Sequence, residues 1–172
     1  MESKVKLLGH PIHPILVVFP LGLLVTSVIF DLLFYFLLVR ISPEVGFWMA
    51  VSGIIGGFIS AIFGLIDWLA IPAQTRAKKI GLIHAGANVI VLAFFIISVY
   101  MRLDNPRYSP DTTAMVLSVS GLLLGLIGGW TGGELVHRLN VGNDSGANLD
   151  APNSIWGEDP THGIKRSRQE YD

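Results

Sequence analysis

The sequence contains no cysteine, and this absence removes several kinds of site at once. Without thiols the chain can form no disulfide, no thiolate metal site and no cysteine-held iron–sulfur cluster. Covalent attachment of a c-type haem is excluded for the same reason. Any metal or haem bound by this chain must therefore be held non-covalently by other side chains.

Charged residues are scarce as well. They make up 15% of the 172 residues, whereas 51% are hydrophobic. A soluble domain usually carries about 25% charged residues, so the deficit indicates insertion into a membrane. The net charge of -1 provides no basic field of the kind that nucleic-acid-binding proteins use. We therefore expect the lipid bilayer to be a partner of the chain, and we expect no nucleic-acid partner.

Motifs of common enzyme classes are missing too. The sequence has no visible nucleophile–base arrangement, no glycine-rich loop after a strand and no nucleotide fingerprint. No catalytic residue is predicted on this basis. A stand-alone enzyme is not expected.

Long hydrophobic runs are what the sequence has in abundance. A membrane-spanning helix needs roughly 20 mostly apolar residues, and four segments reach this length, at about 14–39, 45–71, 80–101 and 113–136. Short connections make neighbouring helices antiparallel. The sequence predicts an all-α integral membrane protein, with a four-transmembrane-helix up-down bundle in residues 1–138. Residues 139–172 are polar and are predicted to form a flexible cytoplasmic tail.

The basic residues are distributed unevenly between the two sides of this bundle. The side with both termini carries Lys4, Lys6, Arg76, Lys78, Lys79, Arg138, Lys165, Arg166 and Arg168. The opposite side carries only Arg40, Arg102 and Arg107. By the positive-inside rule, we expect a multi-pass protein of the cell membrane with both termini in the cytoplasm.

Small residues recur at helical spacing in two of the predicted spans. They are Gly53, Gly56, Gly57, Ser60 and Gly64 in the second span, and Gly121, Gly125, Gly128, Gly129, Gly132 and Gly133 in the fourth. Small residues let helix backbones approach closely in lipid. We therefore expect the second and fourth helices to pack together, and a homo-oligomer through these glycine-rich faces is a further possibility.

Four of the five histidines are predicted to meet at one edge of the membrane. His10 and His13 precede the first span, His84 lies near the start of the third and His137 at the end of the fourth. Prolines after His10 and His13 hold both in an extended or first-turn backbone. The up-down topology brings all four to one level, together with the two acidic residues Asp67 and Glu134.

Three interpretations of this cluster remain open. Two histidines from facing helices could supply the axial ligands of a b-type haem, with His84 paired with His13 or His10. Alternatively the imidazoles could bind copper, zinc or iron together with Asp67 or Glu134. In the third interpretation the histidines are interfacial polar residues and no cofactor is bound.

The acidic residues also have alternative roles. Asp67 could accept a hydrogen bond from a histidine, or it could pair with Arg76 or Lys79. Asp31 lies deep in the first span, where an ionisable residue needs a partner. It could pair with a polar group such as Arg102, or it could be a proton-linked site.

Several of these motifs together resemble a family of four-helix membrane proteins, domain of unknown function 2231. The resemblance rests on His10-Pro-Ile-His13-Pro, Phe19-Pro20-Leu-Gly22, Gly64-x-x-Asp67-Trp68, Gly81-x-x-His84-x-x-x-Asn88 and Gly132-Gly133-Glu134. It implies that His10, His13, Asp67, His84 and Glu134 belong to the family pattern, whereas the position of His137 is aromatic in many relatives. Some relatives carry Rieske-type or cytochrome c domains, which implies a place near membrane electron transfer.

The leading hypothesis is therefore a haem- or metal-binding component of membrane electron transfer, with a redox membrane protein as partner. The first alternative is a non-catalytic scaffold or subunit that docks a partner protein. The second is a small transporter or channel that acts as an oligomer, with Asp31 and Asp67 along a polar path.

Overall fold

Four long α-helices form the body of the molecule. The structure, a computed structural model, describes residues 1–37 and 43–155. The helices are α1 (Ile12–Leu37), α2 (Pro43–Ala70), α3 (Arg76–Met101) and α4 (Thr112–Gly133). Each is long and apolar enough to cross a membrane, α4 together with the short turns on either side of it. The predicted all-α class with four spanning helices is confirmed. The predictions for Arg40 and for Lys165, Arg166 and Arg168 lie outside the described residues.

Local signals in the sequence set the ends of the helices. Pro43 opens α2, where a proline without an N–H costs nothing. The Thr75 hydroxyl accepts a hydrogen bond from the Lys78 amide at 3.1 Å and caps α3. The Asp111 carboxylate caps α4 through the Ala114 amide at 2.7 Å. After α4 the chain makes one π-helical turn, Glu134–Arg138.

The bundle consists of two helical hairpins. Within the described residues α1 packs mainly on α2 and α3 mainly on α4, while α2–α3 and α1–α4 complete a square. The helices α1 and α3 therefore face each other along one diagonal. The apolar core at the centre consists of Leu24, Val28, Ala50, Ile54, Val91 and Phe95.

The expected packing of α2 on α4 is wrong. These two helices occupy the other diagonal of the square and do not pack closely on each other in the described part of the chain. Their glycines instead receive side chains of neighbouring helices: Gly53 faces Leu24 of α1, and Gly121 faces Phe95 of α3. The glycine pattern correctly indicated close packing, but the side chains that fill the space come from α1 and α3.

The segment before α1 forms a small structure that was not predicted. Strands β1 (Lys6–Leu7) and β2 (His10–Pro11) pair antiparallel, and the turn between them uses positive φ at Leu8 (50°) and Gly9 (82°). The start of the tail joins this segment, because Glu2 forms a β-bridge with Gly142 and accepts hydrogen bonds from Ser145. This end of the bundle is therefore covered by the amino-terminal segment and residues 142–145.

Candidate functional site

Two of the four predicted histidines come together across the diagonal of the bundle. His13 lies in the first turn of α1 and His84 in the third turn of α3. Their ring centres are 6.4 Å apart and the ring planes are nearly perpendicular, at 88°. Both side chains are half-buried. The pair lies at the end of the bundle that the amino-terminal segment covers.

Each imidazole is held by its Nδ1 atom. Nδ1 of His13 lies 3.0 Å from the carbonyl oxygen of Ser60, and Nδ1 of His84 lies 2.9 Å from that of Gly128. A carbonyl oxygen can only accept, so Nδ1 carries the proton in both rings. A hydroxyl stands beside each of these bonds, Ser60 Oγ at 3.3 Å and Thr131 Oγ1 at 3.4 Å. The two histidines thus have the same tautomer and the same kind of anchor.

With Nδ1 protonated, the lone pair of each ring is on Nε2. The Asn88 amide donates to Nε2 of His84 at 3.3 Å and to the His84 carbonyl at 2.8 Å. Nε2 of His13 has no hydrogen-bond partner among the described residues. Two imidazole nitrogens with lone pairs are therefore present at one place inside the bundle.

Glycines leave the space that the two rings occupy. A Cβ atom at Gly64 would lie 2.8 Å from Cε1 of His13, and one at Gly132 would lie 3.1 Å from Cε1 of His84. Both distances are shorter than ordinary carbon–carbon contact. A side chain at Gly64 would displace the His13 ring, and one at Gly132 would push the His84 ring by a few tenths of an ångström.

The other two histidines do not join the pair. His10 is exposed in β2, and its Nε2 lies 3.3 Å from the Ser154 hydroxyl. His137 is exposed in the π-helical turn. Across residues 1–37 and 43–155, no three His, Asp or Glu side chains are grouped closely enough to hold a metal ion.

The two acidic residues predicted at this edge are bonded elsewhere. Asp67 accepts hydrogen bonds from the Ser3 hydroxyl at 2.8 and 2.9 Å and from the Lys4 amide at 2.7 Å. Glu134 accepts one from Arg76 at 2.6 Å. Asp67 therefore anchors the amino-terminal segment to α2, a role that the sequence did not suggest.

A second polar centre lies at the opposite end of the same diagonal. Asp31 of α1 and Arg102, which follows α3, form a two-point ion pair with distances of 2.9 and 2.5 Å. Both side chains are fully buried. Arg102 also donates to the hydroxyls of Ser98 at 3.1 Å and Ser118 at 3.2 Å. Of the two roles expected for Asp31, pairing with Arg102 is the one observed.

The buried serines around this pair were not identified from the sequence. The hydroxyls of Ser98 and Ser118 lie 2.7 Å apart, and both lie within hydrogen-bond distance of the Ala114 carbonyl. Because each hydroxyl has one proton, one of them donates to the carbonyl and the other to its neighbouring serine. Ser27 is just as buried, yet its hydroxyl has no partner among the described atoms. The helical spacing of four from Ser27 to Asp31 and from Ser98 to Arg102 is the signal that could have identified them.

Charged residues tie the amino-terminal segment to the tail. Lys6 pairs with Glu2 and with Asp144. Hydrogen bonds from Lys6 and Ser145 lower the pKa of Glu2 from 4.5 to about 2. The hydrogen bond to Asp144 raises the pKa of Lys6 above its ordinary value. Glu2 and Lys6 are therefore both charged at neutral pH, and their contacts join the amino-terminal segment to residues 144 and 145.

These features define the chain as a four-helix membrane protein with a histidine pair at one end of its core and a buried ion pair at the other. Over residues 9–145 it matches the DUF2231 family, described as a predicted membrane protein, and it belongs to this family. No curated protein and no solved structure matches the chain.

Proposed function

We propose that this membrane protein takes part in electron transfer and that His13 and His84 together bind its metal centre, either the iron of a b-type haem or a bare copper or iron ion. The observation that carries the proposal is the paired geometry of the two rings, each with Nδ1 on a backbone carbonyl. Histidines that bind metals usually donate their other nitrogen in this way, which fixes the tautomer and raises the basicity of the ligand.

The separation of the rings suits a shared metal atom. The ring centres are 6.4 Å apart, so His13 and His84 are close enough that they would both hold one metal centre. The perpendicular ring planes do not oppose this arrangement, because each ring binds through its own nitrogen. Asn88 would have to release Nε2 of His84, while its stronger bond to the His84 carbonyl could remain.

The residues around the pair have supporting roles in this proposal. The carbonyls of Ser60 and Gly128 orient the rings, and Gly64 and Gly132 leave room for them. Iron or copper at this position would carry single electrons, whereas zinc would not. Because His10 and His137 lie apart from the pair, they are not ligands in the proposed site, and neither are Asp67 and Glu134.

The proposal includes a location for the site. On the positive-inside rule, the end with the histidine pair and both termini is cytoplasmic, in the cell membrane. The described basic residues at this end include Lys4, Lys6, Lys78 and Lys79. A redox partner would be a separate protein that delivers or accepts electrons on the cytoplasmic side.

An absorption spectrum in mild detergent, before and after dithionite, tests the proposal. Protein made with haem available should show a Soret band that sharpens and shifts to longer wavelength on reduction, with α and β bands. A colourless protein with one equivalent of metal by elemental analysis would identify a bare ion instead. His13→Ala and His84→Ala should each remove the centre, while His137→Ala, on an exposed side chain, should retain it.

Two results would contradict the proposal. One is a protein without haem and without stoichiometric metal after expression with both supplied. The other is full occupancy in His84→Ala or His13→Ala. Either would leave the histidines as interfacial residues of a bundle without a cofactor.

A scaffold that docks another membrane protein is the second candidate. It is favoured by the surface of α4, where Gly125, Gly129 and Gly133 follow each other at a spacing of four with open space in front of each. Such a face allows close approach of another helix, from a partner or from a second copy of the chain. This candidate predicts a colourless, metal-free protein that purifies with a partner or as an oligomer.

A further inference from the structure

The two hairpins of the bundle repeat the same pattern with an offset of 71 residues. His13 and His84 are separated by 71 positions, and so are Ser27 and Ser98. The same offset relates the two members of the ion pair, Asp31 and Arg102. Since α1 and α3 run in the same direction through the bundle, equivalent residues lie at equivalent depths.

Contacts and burial repeat with the same offset. The hydroxyl beside Nδ1 of His13 belongs to Ser60, and that beside Nδ1 of His84 belongs to Thr131, 71 positions later. Buried residues that are related in the same way include Pro20 and Val91, Leu24 and Phe95, Pro43 and Ala114, and Ala50 and Gly121. The carbonyls that accept from Nδ1, those of Ser60 and Gly128, are 68 positions apart, so not every contact keeps the offset. The offset shared by the histidines, the hydroxyls beside them and these buried residues indicates an internal repeat rather than a chance spacing. Parallel repeats of this kind are related by an axis along the membrane normal.

At one end of the bundle the two hairpins contribute the same residue, and at the other end they contribute residues of opposite charge. At the covered end each hairpin contributes a histidine. At the opposite end the first hairpin contributes Asp31 and the second Arg102, both fully buried. If the first hairpin paired with a copy of itself about the same axis, two aspartates would face each other, and a pair of second hairpins would bring two arginines together. Burying like charges without partners is strongly unfavourable.

We propose that the chain is a fused pair of equivalent helical hairpins and that the buried Asp31–Arg102 contact is the recognition element of their interface. The partner that the first hairpin accepts is a hairpin with a guanidinium at the position of its own aspartate. The second hairpin meets this requirement, and a copy of the first does not. The proposal concerns the interface between the hairpins and does not depend on whether the histidine pair binds a metal.

The unpartnered hydroxyl of Ser27 agrees with this inference. Ser98 accepts a hydrogen bond from Arg102, which lies four residues later and one helical turn away. Ser27 likewise lies four residues before position 31. Its buried hydroxyl has no partner in the described structure, and both carboxylate oxygens of Asp31 accept from Arg102 instead. An arginine at position 31 should be able to use Ser27 as Arg102 uses Ser98.

Charge exchange in the full-length protein tests the proposal. Asp31→Arg and Arg102→Asp each place like charges in the interface, so the yield of monodisperse protein in size-exclusion chromatography should fall about ten-fold or more. The exchanged pairs Asp31→Arg with Arg102→Asp, and Asp31→Lys with Arg102→Glu, restore opposite charges. At least one of them should recover the yield to within about two-fold of the unmodified protein.

Ser27→Ala then separates the internal repeat from an ordinary ion pair. It should leave the yield of the unmodified protein unchanged and lower it in the exchanged pair that recovers, because the new cation at position 31 can donate to Ser27. The proposal is overturned if the single charge variants remain monodisperse, or if neither exchanged pair recovers. It is also overturned if Ser27→Ala has the same effect in both backgrounds.

Discussion

Three buried hydroxyls near the ion pair differ in what they bind, although all belong to the same kind of residue. Ser98 and Ser118 share hydrogen bonds with Arg102 and with each other. Ser27 has none among the described atoms. Hydrogen bonds to a charged group contribute more than neutral ones, and a group without a partner contributes nothing favourable. The two sets of serines should therefore respond oppositely to substitution.

We predict that Ser118→Ala lowers the free energy of unfolding by about 1 kcal/mol, because Arg102 loses one of its acceptors inside the membrane. Ser27→Ala is the matched control and should leave the stability equal or slightly higher. Denaturant unfolding of both variants in the same detergent measures the difference. Equal losses in the two variants would mean that the hydroxyl bonds to Arg102 contribute nothing specific.

The sequence identified the histidines of the site, but it did not show which two of them lie together. Four histidines at one level were predicted from topology, and two of them, His13 and His84, lie together. The exclusion of His10 and His137 depends on the β1–β2 turn and on the π-helical turn, and neither has a periodic pattern of hydrophobic residues. Asp67 was expected beside a histidine, Arg76 or Lys79, yet it accepts hydrogen bonds from the Ser3 hydroxyl and the Lys4 backbone amide. The path of that backbone is set by tertiary contacts.

At the level of elements, the apolar runs predicted the helices but not where all of them begin. The predicted start of the third span was residue 80, whereas α3 begins at Arg76. The polar residues 76–79 continue the helix beyond its apolar part because Thr75 caps it. A hydropathy-based prediction identifies only the part of a helix that lies in lipid, so it does not include polar turns at the ends of the helix.

Charged groups hold the amino-terminal segment to residues 144 and 145, and this makes that contact dependent on pH. Glu2 has a folded-state pKa of about 2, below its ordinary value of 4.5. A lowered carboxyl pKa contributes stability above the ordinary value, and this contribution is lost as the pH falls from 4.5 toward 2. For Lys6 the pKa is raised, so its contribution is present at and below its ordinary value of 10.5 and is lost at higher pH.

We predict that the amino-terminal segment becomes more mobile as the pH falls from about 4.5 toward 2, because protonated Glu2 loses its charged contact with Lys6 and its hydrogen bonds from Ser145. The fluorescence anisotropy of a dye on a single cysteine at Lys4 measures its mobility. Glu2→Gln is the control, and its anisotropy should be low already at neutral pH. Anisotropy that is the same in both proteins from pH 7 to pH 3 would contradict the prediction.

At the scale of the whole molecule, the basic residues are concentrated at one end of the up-down bundle. The up-down bundle puts the 71–75 connection and the amino terminus at one end and the connection between α3 and α4 at the other. Arg102, counted by sequence on the less basic side, is buried in an ion pair. It therefore offers no free positive charge to the lipid surface, and the bias toward the end with the termini is larger than the sequence count suggests.

We predict that this end is cytoplasmic, because the basic residues oppose its translocation. The absence of native cysteine allows a direct test with single cysteines at two exposed positions, Ala73 and Asp104. In intact cells a membrane-impermeant maleimide should label Asp104→Cys and not Ala73→Cys. After the cells are opened both should react. Labelling of Ala73→Cys alone in intact cells would establish the opposite orientation.

The ion pair between α1 and α3 also has a consequence for biosynthesis. Arg102 is translated 71 residues after Asp31. At about 5–20 residues per second this is a delay of about 4–14 s. During this interval the newly made first hairpin carries a carboxyl group whose partner has not yet been synthesised. A first hairpin that enters the membrane before α3 emerges therefore carries the cost of an ionisable group without its partner, and synthesis of Arg102 removes that cost.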